Sequence, residues 1–491
     1  MSTESIPELA SYVAGEWRLT GRVTDDINPA RTTEVVARVH LADAQVAEDA
    51  VRAAQSVSKQ WQDTPMPHRG DILRKAGELL DERAKQIGIE FAREEGKTLA
   101  EAVGETRRAA SILRYFAGQA LEPDGETYPS QSRSTLLFTR REPVGVIAAI
   151  TPWNFPMGIT AWKLAPALVY GNTVAWKPSE VVPLTSFRFL EALRDAGLPD
   201  GVLNMILGKS SEIGDTLVLD PAVDGITFTG SNVVGRRIQS LAGANGKKVQ
   251  LELGGKNPAV VLADADLAHA VDQVGRGAFL SAGQKCTATS RVIVESSVFE
   301  EFSERLVALA REWKVGDPLD ESTKVGPLAT AERLQAVADF FKRDRLGTSN
   351  VLCGGKGPES LGEGYFFLPT VVLTPDSQAP IARDEVFGPV AALMQVADFE
   401  EAVEMANDTP FGLSASLFTR DLGKALRFAK EVRAGVVKVN QETAGTEPQV
   451  PFGGMKQSSS GSREQGKTAR DFFTEWKTVY IDESPAGHPV P

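Results

Sequence analysis

The sequence predicts an α/β protein built from two doubly wound, parallel-sheet domains with a small β arm between them. Three observations carry this. The first is size: 491 residues at roughly 150 per domain is about three structural units, enough to bury more than one core. The second is texture, because helical periodicity gives way near Arg141 to short β-rich runs separated by helix-length stretches. The third is that this alternation occurs twice, once before and once after Asn257.

The first third reads as helices. Val46, Ala50, Ala53, Val57 and Trp61 recur at steps of three and four, which puts them on one face. Ile72, Leu73, Ala76, Leu79 and Leu80 continue the pattern, and a third helix runs to about Ala120. Strands are then expected at Val144–Ile150, Thr173–Trp176, Val202–Leu207, Gly225–Thr229 and Val249–Leu253. A helix carrying Leu184, Phe187, Leu190 and Leu193 ends at Gly197, a C′ glycine. The second series has strands at Ala259–Leu262, Arg291–Val294, Phe367–Leu373, Val390–Val396 and Val436–Val439. Leu121 to Arg140 breaks the first series and suits a β-hairpin arm. Ser458–Ser462 looks like a low-complexity loop, and the Pro-rich tail from Glu483 reads as loose.

Composition narrows the function. Apolar residues at 42% and charged residues at 24% describe a soluble globular chain. A net charge of −12 with no basic stripe argues against nucleic acid as a partner. The apolar run Val144–Ile150 is too short to span a bilayer, and the N-terminus has no signal-peptide pattern, so the expectation is cytoplasmic with no membrane partner. Two cysteines cannot build a disulfide framework, and His40, His68, His269 and His488 form no metal-ligand spacing, so no metal is expected.

Several positions could carry chemistry. Cys286 follows Gly283-Gln-Lys. A lone cysteine in such a chain is by default a small buried apolar residue. Lys285 beside it favours a thiolate if the ammonium is also near in space. Cys353 sits on an apolar strand and reads as structural. Glu252 ends an apolar run before two glycines, at the carboxyl end of a parallel strand where ligand crevices open. Asn154 lies between Pro152 and Pro156, which hold it in a rigid non-helical turn suited to an oxyanion donor. Taken alone, Glu252 also fits a solvated strand end, and Asn154 a turn-stabilising amide. Phe228-Thr-Gly230-Ser231 enters a helix after a strand, with Ser231 as N-cap, an arrangement that suits a pyrophosphate. Lys177 and Glu180 follow another strand end, where they could hold ribose hydroxyls or form a surface pair.

In this order the motifs Pro152-Trp-Asn-Phe-Pro, Lys177-Pro-Ser-Glu, Phe228-Thr-Gly-Ser, Leu251-Glu-Leu-Gly-Gly-Lys, Gly283-Gln-Lys-Cys, Glu385-Val-Phe-Gly-Pro and Pro451-Phe-Gly-Gly resemble the aldehyde dehydrogenase superfamily over nearly the whole chain. The resemblance implies NAD(P)-dependent oxidation of an aldehyde to an acid through a cysteine thiohemiacetal and thioester. Cys286 matches the nucleophile, Glu252 the base and Asn154 the oxyanion donor. Glu252 favours hydrolysis to a free acid, because relatives that acylate coenzyme A typically lack this base. Trp153, Lys177, Ser179, Glu180, Gly230, Ser231, Glu385 and Phe387 match cofactor contacts. A carboxylate near the ribose 2′-hydroxyl favours NAD, with NADP possible. Phe155, Trp162, Lys285 and Thr287 would line the substrate pocket.

The implied domains are 1–120 with 141–253 for the cofactor, 254–456 for catalysis, and 121–140 with 467–482 as an oligomerisation arm in a homodimer or homotetramer. The small-molecule substrate implied by Val437–Ser459 and Gly283–Arg291 is 2-oxoglutarate semialdehyde (2,5-dioxopentanoate), with lysine replacing the usual arginine at 285. The alternatives are a broad-range or aromatic aldehyde, or succinate semialdehyde. Against the last, Trp162 stands where many succinate-semialdehyde dehydrogenases carry an arginine.

Overall fold

The computed structural model describes residues 6–482. Its first large sheet has five parallel strands in the spatial order Leu203–Met205, Thr173–Lys177, Val146–Ile150, Gly225–Thr229 and Lys248–Glu252. The chain enters at the central strand, builds outward on one side, then returns to build on the other. The order therefore reverses beside Val146–Ile150, and a crevice opens there at the strands' carboxyl ends. Both faces are covered, so Val146–Ile150, Thr173–Lys177 and Gly225–Thr229 are buried throughout and read as apolar runs rather than alternating ones.

Four helices cover the N-terminal side: α1 (Ala44–Asp63), α2 (Met66–Glu82), α3 (Ala84–Glu95) and α4 (Leu99–Gln119). The sequence pattern runs α3 and α4 together; Gly96, with φ +97°, separates them in a left-handed turn. Four more helices, α5 (Gly158–Val169), α6 (Pro183–Asp195), α7 (Ser210–Leu219) and α8 (Asn232–Ala244), alternate with the strands. Gly197 follows α6 at φ +95°, as its C′ position requires.

The second sheet runs Asn350–Cys353, Thr370–Leu373, Val390–Val396, Thr289–Glu295, Asn257–Val261, Ser414–Phe418 and Val436–Val439, parallel except at the first strand. Cys353 is buried on that edge strand. Thr135–Pro143 pairs antiparallel with Thr474–Asp482 along its whole length and with Thr127–Tyr128, forming a three-stranded arm.

Three expectations change. The first forty residues hold five short strands, Glu8–Leu9, Ser11–Val13, Glu16–Arg18, Val23–Ile27 and Val35–His40, where only helices were expected. Their alternation is weak because they form a small three-stranded sheet and an edge extension of the large one. Ser414–Phe418 is a buried strand that its Ser-Ala-Ser composition hides. The serine-rich stretch is not a plain loop either, since Ser459–Ser460 adds an antiparallel strand to Lys248–Glu252. The tail from Glu483 lies outside the described residues.

Candidate active site

Cys286 sits on a tightly pinned loop. Ser281 and Ala282 hold left-handed backbones, φ 55° and 50°, without being glycine. Glu101 offsets that strain: its Oε1 accepts from the Ser281 N–H at 2.7 Å and the hydroxyl at 2.9 Å. Its other oxygen accepts from Thr98 in the capping box of α4, so one carboxylate ties the helix start to the cysteine loop. Beyond the sulfur, Asn257 Nδ2 donates to the carbonyls of Cys286 and Ala288 at 2.8 and 2.9 Å. Gly283 is required, because a Cβ there would lie 2.1 Å from the Gly388 carbonyl.

Asn154 comes to the same place from the first sheet. Its Nδ2 donates to the Gln284 carbonyl at 2.9 Å, two residues before Cys286. The turn that carries it is held from beneath by buried Lys97, whose Nζ donates to the Asn154 carbonyl and, at 2.6 Å, to Glu105. Glu105 in turn accepts from the Met157 and Gly158 N–H groups that start α5. Neither Lys97 nor Glu105 was singled out in the sequence, since a Lys and a Glu near a helix start ordinarily face solvent.

Glu252 ends its strand fully buried. Oε2 accepts from the Ser459 hydroxyl at 2.5 Å, while Oε1 has no hydrogen-bond partner among the described residues. Burial raises its pKa well above the ordinary carboxylate range, and nearby Glu464 adds to this; the Ser459 bond, Lys163 and Arg463 oppose it. Lys163, on α5, is itself buried, pairs with Glu464 and donates to Thr227 Oγ1 at 2.9 Å. Its signal was present in the sequence: one lysine inside the apolar run Ile159–Val169 needs a buried counter-charge. Glu464 lies in an irregular segment and carried no signal.

The Cys286 thiol is pushed up to about 12, by desolvation first and then by the charges of Glu385 and Glu252. The condition set for a Lys285-assisted thiolate, an ammonium near the sulfur in space, is not met. The Lys285 ammonium donates to the Arg276 carbonyl at 3.0 Å and faces Glu442 at 3.6 Å, so it is engaged elsewhere.

Cys286, Phe155, Trp162, Lys285 and Thr287 all line one cavity of about 770 Å³. The Trp162 and Phe452 rings pack at 4.8 Å across its wall.

Of the expected cofactor residues, Trp153, Lys177, Ser179, Glu180, Gly230 and Ser231 lie at or just past the carboxyl ends of the first sheet's strands, while Glu385 and Phe387 come just before Val390–Val396 of the second sheet. Buried Lys177 donates to Glu180 at 3.1 Å, with Ser179 buried between them, and Glu180 also accepts from Ser210. Ser231 caps α8 after Gly230, and Val233 beside it is 81% exposed. A paired carboxylate, an open helix N-terminus and an exposed apolar residue fit the ribose, pyrophosphate and adenine of a dinucleotide. Glu385 Oε1 accepts from the Gly255 N–H at 3.0 Å, and the Phe387 and Trp153 rings meet edge-on at 5.6 Å.

The aldehyde dehydrogenase family model matches residues 17–479. The chain belongs to the aldehyde dehydrogenase family. It is 44% identical over 475 residues to an alpha-ketoglutaric semialdehyde dehydrogenase of Bacillus subtilis, covering 96% of this chain and 97% of the relative. An alpha-ketoglutarate semialdehyde dehydrogenase of Haloferax volcanii is also 44% identical, over 96% and 98% of the two chains. A 2,5-dioxopentanoate dehydrogenase of Saccharolobus solfataricus is 39% identical, over 95% and 98%. A crystal structure of Staphylococcus aureus betaine aldehyde dehydrogenase in complex with NAD+ superposes with a TM-score of 0.94 at 34% identity, covering 97% of this chain and 95% of that one. The protein is an NAD(P)-dependent aldehyde dehydrogenase. Among the described residues no helix is long and apolar enough to cross a membrane.

Proposed function

We propose that this dehydrogenase oxidises 2-oxoglutarate semialdehyde to 2-oxoglutarate, with NAD preferred as the acceptor. The observation that carries the substrate is the 44% identity, along 96% of the chain, to relatives named for that aldehyde. The NAD preference rests on Glu180, whose carboxylate beside Lys177 leaves no room in charge for a 2′-phosphate.

Cys286 is the nucleophile in this reading. Its thiol is protonated at neutral pH, so it needs a base, and Glu252 is near enough for its charge to raise the thiol pKa. The free Oε1 of Glu252 takes the thiol proton as sulfur attacks the aldehyde carbon. The oxygen that becomes anionic meets the Asn154 amide and the Cys286 backbone N–H, donors already fixed by the surrounding loops. Bound NAD supplies an acceptor for the hydride that leaves the thiohemiacetal carbon. Glu252 releases that first proton to solvent and then takes one from water, which attacks the Cys286 thioester; the C–S bond breaks, the acid leaves and the sulfur is reprotonated. Because Ser459 holds only one Glu252 oxygen, the other can serve both proton transfers.

Residues 1–120 with 141–253 serve as the cofactor unit in this reading, and 254–456 as the catalytic unit. The arm, 121–140 with 467–482, joins subunits. Its exposed Leu136, Trp476, Tyr480 and Ile481 are an apolar surface that a second copy would cover.

The test is NADH formation by the purified protein with 2-oxoglutarate semialdehyde, succinate semialdehyde, hexanal and benzaldehyde, each with NAD and NADP. The expected result is a kcat/KM for the oxo-acid semialdehyde at least about tenfold above the others, about 1.4 kcal/mol of transition-state discrimination. A flat profile, or a peak on benzaldehyde, would discard the substrate and keep the chemistry.

A further inference from the structure

The cavity above Cys286 is lined by four positive side chains; among the described residues three are hydrogen-bonded within the protein and the fourth makes only a long ion pair. Lys97 is bound to Glu105 and the Asn154 carbonyl. Lys285 is bound to the Arg276 carbonyl, and Lys438 donates to the carbonyls of Ala444 and Gly445. Of the acidic lining, Glu105 receives Lys97 and two backbone N–H groups and Glu101 receives Ser281 and Thr98, while Glu442 faces Lys285 at 3.6 Å and Glu447 faces Arg108 at 3.7 Å.

Arg108 differs. It stands on α4, one turn after Glu105, and lines the same cavity as Cys286. Its Nη1 lies 3.7 Å from Glu447, beyond hydrogen-bond reach, and that carboxylate is 70% exposed. Its Nη2 is buried and has no acceptor among the described residues. A buried guanidinium donor without an acceptor is costly, and the cost is recovered when a ligand brings one. The same cavity holds a second donor of this kind, the buried Trp162 Nε1, which also lacks an acceptor. Trp162 therefore does more than supply an apolar wall.

We propose that Arg108 is the anchor for the distal carboxylate of the substrate, with Trp162 Nε1 donating to an oxygen of the same 2-oxo acid end. The ligand class is an aldehyde carrying an anionic 2-oxo acid at its far end. The guanidinium edge supplies the planar two-donor fork that a carboxylate fits, which the Lys285 ammonium cannot. This inference rests on the substrate reading given above.

The experiment compares kcat/KM for 2-oxoglutarate semialdehyde with that for hexanal, with NAD, in the wild type and in the Arg108→Gln and Arg108→Met enzymes. Met occupies similar volume without donors, and because Glu447 is exposed, neither change strands a buried carboxylate. The expected result is a fall of at least about 30-fold in the ratio of the two values, expressed mainly in KM for the oxo-acid semialdehyde. Trp162→Phe should lower the same ratio by about threefold to tenfold. A wild type with no preference overturns the substrate reading itself. A wild type with the preference, whose Arg108 variants keep the ratio within threefold, overturns the anchor alone.

Discussion

Ser459 and Glu252, 207 residues apart in the chain, meet through a 2.5 Å hydrogen bond in which the hydroxyl donates to the carboxylate. The bond favours the charged form of a carboxylate that burial and Glu464 push strongly toward its neutral form. It also leaves the second oxygen of Glu252 without a hydrogen-bond partner among the described residues.

The pH profile should report this. Below its raised pKa, Glu252 is protonated and cannot take the Cys286 proton, so kcat/KM falls as pH drops through a value above the ordinary carboxylate range. Ser459→Ala removes a bond that stabilises the charged form, so the acid limb moves to higher pH, by about one pH unit. Glu252→Gln lowers kcat by about 10²–10⁴ and flattens that limb. An acid limb that stays in place in both variants assigns the titration to another group.

Cys286→Ala should lower NADH formation by about four orders of magnitude or more while the protein still binds NAD. Steady-state assays beside NAD titration by calorimetry separate the two. Substantial turnover by this variant would sink the nucleophile assignment.

Asn154→Ala should lower kcat by about 10²–10³, as expected for one lost oxyanion donor. The variant keeps the backbone carbonyl that Lys97 holds but loses the Nδ2 bond to the Gln284 carbonyl, so a modest fall in its thermal midpoint is expected, about 1–3 kcal/mol of stability. A kcat within a factor of three of the wild type would remove Asn154 from the oxyanion site.

Lys163→Met leaves Glu464 buried without its counter-charge and should destabilise the protein by about 3–5 kcal/mol. Adding Glu464→Leu should restore much of that, because an apolar pair of similar volume has no ion to desolvate. Thermal unfolding of the single and double variants measures the difference, and equal losses in both would mean the pair is not what stabilises this region.

Replacing Tyr480 and Ile481 of the arm by Glu should reduce the particle mass measured by light scattering, since both are exposed apolar residues on a three-stranded sheet. An unchanged mass would put subunit contacts elsewhere.

The central strands of the first sheet, Val146–Ile150, Thr173–Lys177 and Gly225–Thr229, were legible because each is buried along its length and reads as an apolar run; Gly225–Thr229 matches residue for residue. Cys286, Glu252 and Asn154 stood out because glycines, a strand end and two prolines mark where the backbone must turn toward a ligand. Ser459, Glu464 and Arg108 did not. Each sits in a segment whose local pattern is that of solvent-facing polar residues: a serine run, an irregular stretch after it, and an Arg-Arg pair on an amphipathic helix.

By itself, then, the sequence determined the two α/β series after Arg141, the family and the three candidate catalytic side chains, because local periodicity and turn chemistry encode them within a few residues. Tertiary structure alone decided the electrostatics. The thiol rises to about 12 rather than falling, and Lys285 is engaged elsewhere while Arg108 keeps a free donor. Those outcomes depend on which charges burial brings within a few ångströms of one another, and the Ser459–Glu252 and Lys163–Glu464 contacts join segments 207 and 301 residues apart.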